Sequence, residues 1–255
     1  MGCAVGAGAG DACGGRRSVG ARAGGRHPEP GHHRAAGGTY RRLGARPVSP
    51  GAAGLAALRD AIPAVYQRQA AVWDAQRPRG LHERAWLERA VAGLAPGAPV
   101  LDLGCGAGDP IAGWLIGQGF AVTGLDVAPA MLALARARFP QACWLEGDMR
   151  GALPDGPFGA ILGWDSVFHL VPADQRALIP RLVARLAPGG RLLVSVGPRA
   201  GEELGRVGGE PVYHASLDPD DYRALCRAAG CAQVRLVTED PDCDFRSLLL
   251  ARRAG

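Results

Sequence analysis

Eleven residues near the middle of the chain, VLDLGCGAGDP from Val100 to Pro110, constrain the fold most strongly. They begin as an apolar run typical of a buried strand and continue with glycines at every second position, Gly104, Gly106 and Gly108. Glycine lets a ligand approach the backbone closely, because it has no Cβ and adopts positive φ at little cost. The residues from Asp109 to Ile116 are typical of a helix, whose first N–H groups are free to bind an anionic group. The segment therefore predicts a strand, a ligand-binding turn and a helix.

The spacing of these glycines separates three kinds of nucleotide site. The dinucleotide fingerprint G-x-G-x-x-G would require a glycine where Asp109 stands. The P-loop pattern ends in G-K-[ST], and this chain contains no lysine. The pattern D-x-G-x-G-x-G that begins at Asp102 resembles instead the first motif of the class I S-adenosylmethionine (SAM)-dependent methyltransferases. On this motif alone, a dinucleotide site stays open as the alternative.

Two downstream segments follow in the order of that family. A strand-like run that begins at Phe120 ends at Asp126, and an acidic residue at this distance from a glycine turn is placed to accept two ribose hydroxyls. The run CWLEGDM, which ends at Met149, is similar to the adenine-binding segment of the family. The resemblance implies that Asp148 accepts a hydrogen bond from the adenine amino group and that the N–H of Met149 contacts a ring nitrogen.

The alternation of strand-like and helix-like segments from about residue 98 onward predicts an α/β domain, with a mostly parallel, doubly wound sheet and helices on both faces. The resemblance implies the Rossmann-like sheet of seven strands, of which the last is antiparallel. The run LAPGGRLLV, Leu186 to Val194, is similar to the helix end, Pro-Gly-Gly turn and strand of the family, and two strand-like runs near the C-terminus suit a closing hairpin. We divide the chain into a tail (residues 1–50), an N-terminal helical cap (51–97) and a SAM-dependent methyltransferase domain (98–255).

The tail is dominated by glycine, alanine and arginine without hydrophobic periodicity, which predicts disorder. It holds eight arginines against Asp11 and Glu29, so its net charge is +6, whereas the whole chain carries +5. The remainder is close to neutral, and we expect no nucleic-acid partner.

The sequence has no transmembrane run, no C-x-x-C pair and no zinc-like Cys–His cluster. We therefore expect a cytoplasmic monomer or homodimer that binds neither a metal nor a membrane.

Two helix-like stretches, Ala53 to Gln76 and His82 to Leu94, precede the first strand. The run YQRQAAVWD that begins at Tyr66 resembles the "Y-x-x-x-A-x-x-Y/W-D" opening of many small-molecule methyltransferases, in which a leading helix closes over the cofactor. The resemblance implies that Tyr66 reaches the methionine end of the cofactor. Simple packing of Tyr66 and Trp73 against the domain is the alternative.

The sequence gives weaker indications of the residues that contact the methyl acceptor. The run WDSVFHL, Trp164 to Leu170, resembles a loop of the branch that includes the quinone-biosynthesis enzymes. His169 is a candidate general base because an imidazole titrates near neutrality, and a structural histidine bonded to a backbone carbonyl is the alternative. Asp165 either contacts the methionine part of the cofactor or the acceptor, or it serves as a turn residue. Tyr213 and His214 are further candidates for the acceptor pocket.

Together these resemblances imply an enzyme that transfers a methyl group from SAM to a small-molecule acceptor by in-line displacement. The alternatives are an NAD(P)-dependent oxidoreductase on a similar sheet and a SAM-binding module without catalytic activity. The candidate catalytic residues are Asp165 and His169. The candidate cofactor-binding residues are Tyr66, Asp102, Gly104, Cys105, Gly106, Gly108, Asp126, Val127, Met131, Asp148, Met149 and Trp164.

The ribose role of Asp126 can be tested directly. We expect Asp126→Ala to abolish cofactor binding, since each charge-assisted hydrogen bond to a ribose hydroxyl is worth about 1.5–3 kcal/mol. Isothermal titration calorimetry with S-adenosylhomocysteine (SAH) measures the effect. Micromolar affinity retained by the variant would contradict the ribose role.

Overall fold

The structure is a computed structural model that describes residues 51–255, so the predicted disordered tail lies outside the described residues. The strands are β1 (Pro99–Leu103), β2 (Ala121–Asp126), β3 (Cys143–Glu146), β4 (Phe158–Gly163), β5 (Leu186–Val196), β6 (Gly201–Val207), β7 (Glu210–Ser216), β8 (Cys231–Asp240) and β9 (Arg246–Arg253). The helices are α1 (Ala52–Asp60), α2 (Ile62–Gln76), α3 (Arg84–Val91), α4 (Ile111–Gly117), α5 (Pro129–Arg138), α6 (Pro172–Ala184) and α7 (Pro219–Ala228).

Seven strands form one sheet in the order β3-β2-β1-β4-β5-β9-β8. The pairings from β3 to β5 are parallel, and β9 lies antiparallel between β5 and β8. The chain order reverses at β1, whose neighbours are β2 and β4, and open sheets of this kind bind ligands in the crevice at such a reversal. The predicted α/β fold with an antiparallel last strand is confirmed.

Helices cover both faces of the sheet because side chains alternate along each strand. In β1, Val100 packs into a core with α3, α4 and α5, whereas Leu101 and Leu103 pack into a second core with α6 and α7. All three side chains are fully buried. A strand that is apolar on both faces must be covered on both, which is why the run before the glycine turn predicts a central strand.

The predicted helical stretch from Ala53 to Gln76 is wrong in one respect, because the structure breaks it at Ala61 into α1 and α2. Pro63 stands directly after this break. Proline has no N–H to donate to the carbonyl four residues earlier, and its ring crowds that carbonyl, so it disfavours the interior of a continuous helix, although α6 accommodates Pro180. Near the start of a new helix proline is tolerated, and the chain therefore turns and begins α2 at Ile62.

Two later segments also differ from the sequence predictions. β5 already begins at Leu186, so the Pro-Gly-Gly run lies inside the strand and shifts its pairing with β4 between Phe158 and Ala160. The segment after β5 forms the antiparallel hairpin β6–β7, which the sequence did not predict. Residues Val212–Ser216 of β7 are all buried because α1, α2 and the turn Val167–His169 cover them. Burial on both faces removes the alternation that would have indicated a strand.

A buried hydrogen-bond cluster joins β7 to α6 and α7. The fully buried amide of Gln175 donates to the carbonyl oxygens of Leu170 at 2.7 Å and Ala215 at 2.9 Å. Its own oxygen accepts from the hydroxyl of Tyr222. Gln175 therefore satisfies three polar groups that water does not reach.

Gln175→Leu should lower the free energy of unfolding by about 2 kcal/mol or more, since each buried polar group left unpaired costs about 1–3 kcal/mol. Urea unfolding followed by circular dichroism measures the change. Gln233→Leu, at an exposed position of β8, is the matched control and should change stability by less than about 0.5 kcal/mol. Equal effects of the two substitutions would contradict the role of Gln175.

Candidate functional site

A cavity of about 150 Å³ lies at the carboxyl ends of β1, β2 and β4, beside α2. Every candidate cofactor-binding and catalytic residue from the sequence lines it. Tyr213 and His214 are not among the lining residues, and His214 lies instead beside a small depression next to Gly197. The structure thus brings the predicted cofactor-binding residues together but separates the two hairpin residues from them.

The three glycines of the turn have different neighbours. A Cβ on Gly104 would lie 2.3 Å from the Cβ of Ser166, and a Cβ on Gly108 would lie 2.8 Å from the indole of the tryptophan in β3. These two glycines let neighbouring segments pack closely against the turn. Near Gly106, whose φ is +54°, the nearest atom to such a Cβ is the Sδ of Met131 at 4.0 Å. The backbone at Gly106 therefore forms a cradle that a ligand can approach.

Asp126, the last residue of β2, ties this turn to the second strand. Its two carboxylate oxygens accept the N–H groups of Gly106 and Ala128, each at 2.9 Å. Burial raises the pKa of Asp126, while the hydrogen bonds from neighbouring backbone N–H groups oppose the rise. Each oxygen has a further lone pair, so the carboxylate can also accept two hydrogen bonds from a diol.

Asp148 lies after β3, where its carboxylate pairs with Arg150 at 2.6 Å. Partial burial acts to raise the pKa of Asp148, but the hydrogen bonds from Arg150 outweigh it and hold that pKa below its usual range. Asp148 is therefore a charged hydrogen-bond acceptor at the edge of the cavity, with Met149 beside it. This geometry is compatible with a purine amino group as the donor.

Ion pairs hold α2 against the segments around the glycine turn. Asp74, near the end of α2, binds Arg138 of α5 at 2.7 Å and Arg79 at 3.0 Å. Arg79 also pairs with Asp109, directly after the turn, at 2.7 Å. The hydrogen bond from Arg138 lowers the pKa of Asp74 below its usual value. The acidic end of the YQRQAAVWD motif thus serves as an anchor.

Arg77 is a cavity residue that the sequence predictions missed. Its guanidinium contacts Glu83 and lies 3.8 Å from the carboxylate of Asp165, and only 12% of its side chain is exposed. Arg77 directly follows α2 and continues the spacing of Tyr66 and Trp73 by four residues, so extending that periodicity by one turn would have identified it. Arg77 is a largely buried cation that lines the same cavity as the glycine turn.

The candidate catalytic residue Asp165 adopts a left-handed conformation with φ +48°. Both of its oxygens accept from Arg246 at the start of β9, at 3.1 and 3.0 Å. Its backbone N–H donates to the hydroxyl of Ser195 at 2.7 Å. Three strands therefore fix the position of this carboxylate, which already has a cationic partner.

The second candidate catalytic residue, His169, is 9% exposed. Its Nδ1 lies 2.9 Å from the carbonyl oxygen of Tyr213, and its Nε2 lies 2.8 Å from the hydroxyl of Tyr66. Burial lowers the pKa of His169 to about 4, so the ring is neutral near pH 7. This backbone-bonded arrangement is the alternative that the sequence left open beside a general base.

Trp164 offers a further polar atom. Its indole N–H is buried and has no hydrogen-bond partner within residues 51–255, and the residue lines the cavity. Buried polar groups are nearly always paired, so this N–H is a donor that a bound ligand could satisfy. The open backbone at Gly106 and this donor both fit a ligand with an amino-acid part.

No group of three or more His, Cys, Asp or Glu side chains within residues 51–255 is placed to hold a metal ion. No helix in the same range is long and apolar enough to cross a membrane.

Comparison with known proteins gives a consistent result. Residues 100–190 match a family model described as a methyltransferase domain. The trans-aconitate 2-methyltransferase of Methylobacterium nodulans is 34% identical over 155 residues, which are 54% of this chain and 59% of that protein. The chain thus spans less than two thirds of the length of the curated relatives it matches.

Solved structures extend the similarity. SAM-bound CalS10, an amino pentose methyltransferase from Micromonospora echinaspora, aligns with a TM-score of 0.57 and 25% identity, covering 73% of this chain and 96% of that one. The glycopeptide N-methyltransferase MtfA in complex with SAH aligns with a TM-score of 0.54 and 21% identity, covering 69% and 90%. The second similarity shows the fold alone.

Asp102 is only 3% exposed, and we expect its burial to make the stability of the protein depend on pH. Burial and the nearby charge of Asp126 raise the pKa of Asp102 to about 7, so the folded protein keeps a proton that the unfolded chain loses near pH 4. Stability should therefore fall as the pH rises between these values. Asp102→Asn cannot ionise, and its stability relative to the wild type should be greater at about pH 8 than at about pH 4.

Urea unfolding at both pH values, without ligand, tests this prediction. Asp155→Asn, at an exposed position, controls for the removal of a carboxylate. A stability difference between Asp102→Asn and the wild type that is the same at both pH values would show that Asp102 is not protonated in the folded state.

Proposed function

We propose that this chain is a class I SAM-dependent methyltransferase, which binds SAM in the cavity at the carboxyl ends of β1, β2 and β4 and transfers its methyl group to a small-molecule acceptor. The observation that carries the proposal is the convergence of the glycine turn, Asp126 and Asp148 on one cavity. The match of residues 100–190 to a methyltransferase domain supports it independently.

Each part of SAM has a complementary group in the cavity. We assign the ribose hydroxyls to the free lone pairs of Asp126, and the adenine ring to Asp148 and Met149. The backbone at Gly106 is left for the amino-acid part, because it is the open side of the turn. Met131, which lines the cavity near this glycine, supplies apolar contact.

The amino-acid part of SAM carries a carboxylate and an ammonium group. Arg77 and Asp165 offer the opposite charges 3.8 Å apart, and each side chain is only about a tenth exposed. Hydrogen bonds between charged groups are stronger than those between neutral groups, and burial limits their screening by water. We therefore assign Arg77 to the carboxylate and Asp165 to the ammonium group.

The sulfonium of SAM supplies a methyl group that is already activated, so the contribution of the protein is alignment and the exclusion of water. Correct alignment of two reactants can be worth up to about 7–11 kcal/mol. The side chains of Asp165 and His169 are bound to Arg246 and Tyr66 respectively. We infer that both side chains hold neighbouring groups in position and that neither removes a proton from the acceptor.

The acceptor class is left open by the relatives. One is named for trans-aconitate, a carboxylate, and another for an amino pentose. The lining residues that are not assigned to SAM include the apolar Ile62, Pro63, Leu170 and Val171 and the charged Arg59 and Asp174. This composition suits a small organic molecule. We also propose a cytoplasmic location, which the unpaired state of the described cysteines supports.

Arg77→Gln tests the assignment of the amino-acid part. The variant should bind SAH about tenfold or more weakly, because a hydrogen bond to a charged group contributes about 1.5–3 kcal/mol. Its affinity for 5′-methylthioadenosine, which has no amino-acid part, should be unchanged. Calorimetry with both ligands measures the difference, and Arg84→Gln, an exposed arginine of α3, is the matched control.

The outcomes separate the possible failures. Equal losses for both ligands would indicate a general disturbance of the cavity, and no loss for either would place the carboxylate elsewhere. Failure of the wild-type chain to bind SAH, with binding of NAD or NADP instead, would overturn the proposed function.

A further inference from the structure

His169 determines the direction in which the hydroxyl of Tyr66 donates its hydrogen bond. A carbonyl oxygen only accepts hydrogen bonds, so the Nδ1 atom of His169, 2.9 Å from the carbonyl of Tyr213, must carry the ring proton. In the neutral ring Nε2 is then bare, and at 2.8 Å it must accept the hydroxyl proton of Tyr66. The hydrogen-bond directions run from Tyr66 to His169 and from His169 to the backbone of β7.

This arrangement fixes what Tyr66 can offer to a ligand. A tyrosine hydroxyl has one hydrogen, which is already donated to His169, so its oxygen presents only lone pairs to the cavity that it lines. A ligand group next to this oxygen is stabilised if it donates a hydrogen bond. A group that has only lone pairs is repelled.

We propose that the methyl acceptor is a neutral primary or secondary amine whose N–H donates to Tyr66, and that His169 is a positioning residue that imposes this polarity. The inference rests on the proposed function, because it concerns the acceptor of the same cavity, and it assigns Tyr66 to the acceptor instead of the methionine end of the cofactor. It selects one of the acceptor chemistries that the names of the relatives leave open.

An amine acceptor is chemically compatible with the hydrogen-bonded pair of Tyr66 and His169. The nitrogen lone pair forms a bond to the methyl carbon, the bond between that carbon and sulfur breaks, and its electron pair stays on sulfur. The product is a methylammonium ion that still donates an N–H to Tyr66, and its extra proton passes to water after release. No side chain has to accept a proton during the transfer.

Other acceptors fit less well. An alcohol must lose its proton as the bond forms, and the route through Tyr66 to His169 would leave an imidazolium ion in a site that is 9% exposed. Burial lowers the pKa of His169 and raises that of Tyr66, which opposes this transfer. A carboxylate has no hydrogen to donate and would place its lone pairs against the tyrosine oxygen.

The surrounding wall indicates the rest of the acceptor. Ile62 and Val171 pack in one cluster with Tyr66, and Pro63 and Leu170 also line the cavity, which carries Arg59 and Asp174 as well. An uncharged amine loses much less hydration free energy than an ammonium ion when it enters such surroundings. The acceptor class is therefore an amine attached to a largely apolar body.

The first test identifies the labelled atom. The full-length chain is incubated with methyl-labelled SAM and a deproteinised extract of the cells that produce it, and the product is analysed by alkali treatment and tandem mass spectrometry. We expect an alkali-stable product with the label on nitrogen. A methyl ester, which alkali cleaves, or a label on a hydroxyl oxygen or on carbon would overturn the inference and leave the proposed function intact.

Binding of SAH without any labelled product would overturn both, because it would indicate a SAM-binding module without transfer activity. A product labelled on nitrogen supports both. The two failures are therefore distinguishable within one experiment.

A pair of variants tests the positioning role, with the labelled amine as the substrate. Glutamine places an amide oxygen near the position of Nε2 and can accept from Tyr66, whereas asparagine places its N–H near Nδ1 and offers Tyr66 no acceptor. We expect His169→Asn to lower kcat about fivefold or more, which is the size of the effect of losing one hydrogen bond. The kcat of His169→Gln should stay within about twofold of the wild-type value. SAH affinity should be the same in both.

Equal kcat values for the two variants would overturn the positioning role. Should either variant fail to fold, nitrogen NMR of the imidazole in the wild-type protein gives the tautomer directly. Protonation at Nδ1 with a bare Nε2 supports the inference, and protonation at Nε2 overturns it.

Discussion

The carboxylate of Asp126 is the interaction on which the cavity depends. The parallel pairing of β1 and β2 places Leu103 beside Leu125, so the glycine turn and Asp126 leave the sheet side by side. The carbonyl of Leu125 accepts the N–H of Gly104 at 2.7 Å, and Asp126 accepts that of Gly106. A carboxylate that is partly withdrawn from water needs such donors, and the turn needs acceptors for its N–H groups, so each stabilises the other.

A second layer of interactions holds the helical cap on this framework. Asp74 joins α2 to α5, and Arg77 joins the end of α2 to Glu83 and the neighbourhood of Asp165. The cavity is also lined by the buried carboxylate of Asp102 and the half-buried carboxylate of Asp126, and Arg77 opposes the rise of the pKa of Asp102. The cap therefore supplies charge to the cavity as well as a wall.

The antiparallel last strand takes part in the site through its first residue. Because β9 lies between β5 and β8, Arg246 at its start is brought to the loop after β4, where it binds Asp165. The hairpin β6–β7 contributes in a similar way, since the backbone of Tyr213 orients His169 and, through it, Tyr66. Segments that do not touch SAM in our assignment thus determine the polarity of the acceptor side.

The sequence by itself determined which residues line the half of the cavity that we assign to SAM. The glycine turn, Asp126 and Asp148 each stand at the end of a strand, and parallel strands bring their carboxyl ends to one edge, so spacing along the chain fixes position in space. Tertiary structure alone decided the partners of Asp165 and His169, because Arg246 and Tyr66 come from elements far away in the chain. Tyr213 shows the difference. The sequence suggested its side chain for the acceptor pocket, but in the folded protein its backbone carbonyl accepts a hydrogen bond from His169. No local sequence pattern encodes such a contact.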